Sequence, residues 1–324
     1  MPGNRPKVVP LPAGADRVKI KPLQARLRAE SDRAGLAPEV AERDYVMSWI
    51  LAGIASVPSL KETLVLNGGA ALRKSYFPGY RFTEEMDFTA VGAVPAGPAL
   101  DQAILEATSN VVRMLTPYTS VQIHCEPGGR RASREEKKAF EITARFPWQK
   151  EAPPVIARIT MDEILLTPCA SRPIRHDYGE TIELQVLVCS LDEIVAEKLR
   201  AILEHGAAGK SEAIDRRILD YYDLWKVLEA FGGRLDVPDF PALLREKCRS
   251  GNLSFQGPES FFPEPLLAKV QAGWDKALKS LSTEVPLYQT VVTRLGAHVS
   301  ALLASPRVPK VSATESPSGE SPAP

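Results

Sequence analysis

Residues 64–88 read LVLNGGAALRKSYFPGYRFTEEMDF, and this stretch decides the fold. A short apolar strand, Thr63 to Leu66, is stopped by Asn67-Gly68-Gly69, and a helix is expected from Ala70 to Tyr76. Glycine lets the backbone come close to a phosphate, and the free N–H groups of a helix start point at it. Arg73 and Lys74 fall on the first turns of that helix and add positive charge. After a loop, Glu85 and Asp87 stand two residues apart, with Phe82, Met86 and Phe88 alternating against them. In a strand that spacing puts both carboxylates on one face. Two carboxylates held together repel each other, so the pair calls for a cation. Mg2+, or Mn2+ in its place, is the expected cofactor, because magnesium takes oxygen ligands and shares them with substrate phosphates.

Upstream, Leu23 to Ile54 predicts helical segments broken near Gly35 and Pro38. Downstream, strand alternation recurs at Val121, Ile123 and Cys125, at Phe140, Ile142, Ala144 and Phe146, and at Ile182, Leu184, Val186 and Val188; Val155 to Leu166 adds an apolar stretch. From Ser190 the chain reads helical, opening with the capping box Ser190-Leu-Asp-Glu193. On that helix Leu191, Ile194, Val195, Leu199 and Ile202 form the apolar stripe, and Lys198 falls within it. A lysine there must snorkel or find a buried anionic partner. The next helix, Arg217 to Leu228, is apolar around most of its circumference, which makes Asp220 and Asp223 acids on a buried helix that need partners. Asp223 could pair with an arginine such as Arg217.

The run Gly68-Gly69-Ala70-Ala71-Leu72-Arg73-Lys74, followed by Arg81-Phe82-Thr83-Glu84-Glu85-Met86-Asp87-Phe88, resembles the AbiEii/AbiGii-type nucleotidyltransferase toxins, a branch of the DNA polymerase β-like superfamily. Glu42-Arg-Asp-Tyr45, Trp49-Ile-Leu51, Glu197-Lys198-Leu-Arg-Ala201 and the segment from Arg217 to Trp225 extend the likeness over roughly residues 40 to 230. Ala70 stands where the family usually has a hydroxyl residue, so backbone N–H groups must serve the phosphates. Glu85 stands where it has an aspartate, and Met86 is a volume-conserving change from leucine.

The resemblance implies an α+β fold, a nucleotidyltransferase core with a mixed sheet followed by a helical C-terminal region. It implies transfer of a nucleoside monophosphate from an NTP to an acceptor, with RNA, and the tRNA 3′ end above all, as the expected acceptor and a separately encoded antitoxin as partner. A small-molecule or protein hydroxyl, or nucleotide binding without catalysis, is the rival. By the same resemblance, Glu85 and Asp87 are the metal ligands and catalytic acids. Gly68, Gly69, Ala70, Lys74 and Arg81 bind the nucleotide, and Lys198 and Asp220 position it or the acceptor, with Asp223 the alternative to Asp220. A third carboxylate is expected on a neighbouring strand, at Asp162 or Glu163.

The bulk properties are compatible with this. The 324 residues are 44% hydrophobic and 25% charged, with formal net charge zero, so nucleic acid would have to be met by a local basic face. Candidates for such a face are Arg73, Lys74, Arg81 and the loop Arg130 to Lys138. Four scattered cysteines and four scattered histidines argue against a disulfide scaffold or a zinc site and fit a reducing cytoplasm. No apolar run approaches the ~20 residues of a membrane span. Residues 1–16 and 305–324 are rich in proline and small residues and are expected to be disordered, bracketing a core at 17–189 and a helical region at 190–304.

Overall fold

The computed structural model describes residues 20–127, 137–161, 163–208, 214–232, 235, 237–282 and 284–304. Both expected tails, Asp162 and most of the basic loop lie outside them. Two helices lead the chain, α1 (Leu23–Ala34) and α2 (Pro38–Ala55), separated by Gly35 in the left-handed region at φ 59°. Pro38 at the first turn of α2 stops continuation of α1 and costs no helical hydrogen bond. From Tyr45 to Ala55 every residue of α2 is buried, because the helix packs against the helix Pro98–Leu115 and lies on the sheet at the strands Val155–Thr160 and Gln185–Val188.

After a single turn at Pro58–Lys61 (α3), strand β1 (Leu64–Asn67) runs to the glycine pair. The helix begins at Gly68, earlier than expected, as α4 (Gly68–Ala71), and widens into a π turn at Leu72–Tyr76. Then come β2 (Glu85–Ala90), α5 (Pro98–Leu115), β3 (Gln122–Pro127), β4 (Lys137–Arg145) and β5 (Val155–Thr160). The last strands are β6 (Ala170–Pro173) and β7 (Gln185–Val188). Helix α5 and strand β6 are elements the sequence reading did not resolve. The apolar stretch expected to end at Leu166 pairs only to Thr160, and Ile164 beyond it is exposed.

The described strands form one mixed sheet in the order β3-β4-β5-β2-β1-β7-β6. Strand β2 is central, antiparallel to β1 and parallel to β5. The register sets Asp87 opposite Asn67 on one side and Arg158 on the other. Strand β7 runs parallel to β1, so their C-terminal ends share the edge where the glycine turn lies.

Helices follow: α6 (Leu191–Ala208), α7 (Ile214–Phe231), α8 (Phe240–Ser250), α9 (Glu264–Lys279) and α10 (Tyr288–Leu303). The stripe predicted for α6 is buried at Ile194, Val195, Leu199 and Ile202. Ser190 caps α6 by accepting from the Glu193 N–H at 3.0 Å. The Glu193 carboxylate does not return the bond. It accepts from Thr167 and meets Lys247 of α8, tying α6 to the chain after β5. One continuous apolar core runs from α2 through the sheet into α6, α7, α9 and α10. No helix among the described residues is long and apolar enough to cross a membrane.

Candidate active site

Two glycines open the site, and each is there for its own reason. Gly68 has φ 62°, which side chains on Cβ disfavour, and a Cβ there would stand 3.6 Å from Asp87 Oδ2. Gly69 is needed for space: its Cβ would come 2.7 Å from Nη2 of Arg81. Asn67 caps the turn, accepting the Gly68 N–H at 2.7 Å. Ala70 is buried, so the methyl group in place of a hydroxyl faces the core.

Glu85 and Asp87 project from the same face of β2 while Met86 and Phe88 are buried beneath. The Asp87 side chain is 52% exposed beside the glycine turn, open enough to take a ligand. Glu85 is engaged. Arg158 of β5 forks onto both its oxygens, with Nη2 at 2.5 Å from Oε1, and also lies 3.6 Å from Asp87 Oδ1. From α7, Arg216 reaches the same carboxylate at 3.3 and 3.4 Å. Burial lowers the Arg158 pKa, and the nearby Arg216 charge lowers it further.

Behind the turn lies a chain of buried ion pairs. Arg81 clamps Asp223 through Nε at 2.7 Å and Nη2 at 2.6 Å, and Tyr80 donates to the same acid at 2.8 Å. Lys198 sits 2.9 Å from Asp223 and 2.7 Å from Asp220, the anionic partners its place in the α6 stripe demanded. Burial raises the Asp223 pKa, but Arg81 and Lys198 outweigh it and hold the carboxyl at about 2. For Lys198, burial pulls downward while Asp220 and Asp223 raise its pKa, so it stays charged. Asp220 lies nearer the surface and meets Arg217 at 3.0 Å. That contact is made by Oδ2, which is thereby ion-paired, while Arg217 Nε is buried with no hydrogen-bond partner among the described residues. The arginine expected to serve Asp223 thus serves Asp220, one helical turn away on the same face.

Three expected placements differ. Lys74 is buried in the core, its ammonium 3.0 Å from the Asp44 carbonyl, 2.9 Å from the Ser48 hydroxyl and 2.7 Å from Asp44 Oδ1. Arg73 holds the same acid, and Tyr178 donates to it. Burial drives the Lys74 pKa down to about 8 despite Asp44. The structure therefore does not bring Lys74 to the carboxylates. Arg73, Lys74 and Arg81, all buried in ion pairs, form no basic face for RNA either. Glu163 turns toward Arg200 at 3.0 Å and Lys247 at 3.8 Å, away from Asp87, because α6 and α8 supply cations there. Asp162 and the basic residues Arg130 to Arg134 lie outside the described residues, with only Lys138 of that loop having a described side chain.

Arg158 and Arg216 were missed by the sequence reading. Arg158 carried a signal: in VIARIT a guanidinium interrupts an apolar strand, on the face opposite Val155, Ala157 and Ile159. Arg216 carried none.

For a metal, the donors are Asp87 and, once its guanidiniums are released, Glu85. No group of three or more acids, histidines or cysteines suited to a metal occurs among the described residues. Magnesium bound by one or two carboxylates together with substrate phosphates fits this donor set.

Residues 49–298 match the family described as nucleotidyl transferase AbiEii toxin, type IV toxin–antitoxin system. Among solved structures, JHP933 from Helicobacter pylori superposes with TM-score 0.52 at 16% identity, covering 83% of this chain and 94% of that one. A second H. pylori protein, provisionally assigned as a nucleotidyltransferase, superposes with TM-score 0.52 at 14% identity, covering 83% and 96%. At such identities these two establish the shared fold alone. Curated protein sequences gave no match.

Proposed function

Because the chain belongs to the AbiEii family of nucleotidyl transferase toxins of type IV toxin–antitoxin systems, we propose that it is a metal-dependent enzyme moving a nucleoside monophosphate from an NTP to RNA, at the tRNA 3′ end. Membership makes it a nucleotidyltransferase with an NTP substrate and an antitoxin partner. The observation that carries the site assignment is Asp87, half-exposed beside the Gly68 turn, with Arg158 3.6 Å away and Glu85, held by Arg158 and Arg216, on the same strand face.

In this scheme Asp87, joined by Glu85, holds the divalent cation, Mg2+ or Mn2+. That cation, when bound, supplies charge neutralisation of the triphosphate and acidifies the attacking hydroxyl. The glycine turn brings backbone close to the phosphates. Asp220 and Lys198, paired at 2.7 Å between α7 and α6, orient the sugar or the acceptor end. The acceptor hydroxyl gives up its proton to solvent as its oxygen bonds the α-phosphorus, the bond from that phosphorus to the bridging oxygen breaks, and pyrophosphate departs. The Arg81–Asp223 clamp holds Lys198 in place and touches no substrate.

Incubation with each labelled NTP and tRNA, with Mg2+, Mn2+ or chelator, tests the scheme. Label should enter intact tRNA and be lost when the 3′ terminal residues are removed. Label appearing only in protein or in a small molecule would reject RNA as acceptor and leave the nucleotidyltransferase chemistry standing.

A further inference from the structure

We propose that Arg158 and Arg216 form the subsite for the triphosphate tail of the nucleotide, and that Glu85 holds their guanidiniums in reserve while the site is empty of nucleotide. The inference rests on the nucleotidyl-transfer scheme above and names the group that recognises the part of the substrate that leaves.

Position comes first. Arg158 pairs with Asp87 in the β2–β5 register, so its side chain rises on the carboxylate face of the sheet. It bends diagonally to fork onto Glu85, two residues along the neighbouring strand, a reach ordinary for long side chains. Arg216 arrives from the opposite wall, on the first turns of α7, and meets the same two oxygens at longer range. The two guanidiniums therefore converge from the sheet and from the helical region on a point beside Asp87.

The two guanidiniums are held unequally: Glu85 binds Arg158 tightly, with Asp87 3.6 Å away, and the same Glu85 meets Arg216 only at longer range. Arginine's planar fork suits phosphate as well as carboxylate, and a polyphosphate offers several oxygens where Glu85 offers two. The Arg216 side chain is 54% exposed and can move without opening the core; Arg158, at 12%, moves only by exchanging one anion for another. Glu85 cannot give both oxygens to guanidiniums and still ligate a cation. Transfer of the two arginines to phosphate would free Glu85 to join Asp87, so nucleotide and cation would assist each other's binding through this one acid.

The test compares binding of a non-hydrolysable NTP analogue and of the matching NMP, by calorimetry, in wild type, Arg158→Gln and Arg216→Gln. Each substitution should weaken the NTP analogue about tenfold, equivalent to about 1.4 kcal/mol, and leave the NMP within about twofold. Nucleotide-free Arg158→Gln should also bind Mn2+ more tightly than wild type, read by electron paramagnetic resonance, because Glu85 then loses the Arg158 fork and keeps its looser contact with Arg216. Equal effects on NTP and NMP, or none, would overturn the subsite. Arg216→Gln changes a half-exposed residue, so the test survives should Arg158→Gln fail to fold. If wild type transfers nucleotide while both variants keep its preference for NTP, the subsite falls and the transfer scheme stands. If wild type binds neither nucleotide, both fall.

Discussion

Asp223→Asn and Asp220→Asn should separate the structural acid of α7 from its functional one. Asp223 is fully buried and accepts three hydrogen bonds, two from Arg81 and one from Tyr80, besides its contact with Lys198. Asparagine keeps the volume but removes the charge that faces both Arg81 and Lys198. Breaking one partner of a buried pair costs about 3–5 kcal/mol. Unfolding a chain of this size releases entropy of roughly 0.6 kcal/mol per kelvin, so the melting temperature should fall by roughly 5–8 °C. Asp220 is nearer the surface, and Lys198 keeps Asp223 when it is lost, so Asp220→Asn should cost about 1 kcal/mol. Transfer activity should respond in the reverse order, with Asp220→Asn losing on the order of a hundredfold while Asp223→Asn loses activity only as it loses fold. The pH dependence adds an independent check. The Asp223 carboxyl is held at about 2 against an ordinary 3.8, so its stabilisation is complete above pH ~4 and disappears as pH falls toward 2. The gap in melting temperature between wild type and Asp223→Asn should therefore close on acidification. Scanning calorimetry with a labelled-nucleotide assay decides the matter; an Asp220→Asn protein that melts as low as Asp223→Asn, with activity lost in proportion, would refute the division of roles.

Asp87→Ala should abolish transfer with a melting temperature within about 1 °C of wild type, because the side chain is half exposed and Arg158 keeps its fork on Glu85; retained turnover in the presence of Mg2+ would remove it from the chemistry. Lys74→Met should leave NTP affinity within about twofold, since the ammonium lies on Asp44 inside the core. The Lys74 pKa is depressed from 10.5 to about 8, so folded protein sheds that proton first, and wild type should gain stability relative to Lys74→Met as pH rises from 8 to 10.5. Gly69→Ala should push Arg81 off Asp223, costing about 1–3 kcal/mol in melts; a variant as stable as wild type would show that the guanidinium has room to yield.

What the sequence disclosed and what it concealed divide along a physical line. Periodicity is local, and it correctly put Glu85 and Asp87 on one strand face, the α6 stripe in the core and Lys198 in need of acids. The break between α1 and α2 was equally local, written in Gly35 and Pro38. Partner choice is not local. Lys74 lay beside the glycine turn in the chain, and only the packing of α2 shows that Asp44, 30 residues upstream, claims it. Arg158 was visible as a charge in an apolar strand, but its partner depends on β5 settling parallel to β2 rather than beside β1. A shift of that strand by one residue would turn the guanidinium to the opposite face and leave Glu85 without its fork. Arg81, placed at the nucleotide by the family resemblance, turns inward onto a fully buried Asp223. The common cause is that a buried charge takes the partner that folding delivers, and delivery is set by sheet order and helix packing. Asp87 is the informative exception. Folding keeps its side chain half exposed beside the glycine turn, within reach of Arg158 on the next strand and of a substrate arriving from solvent.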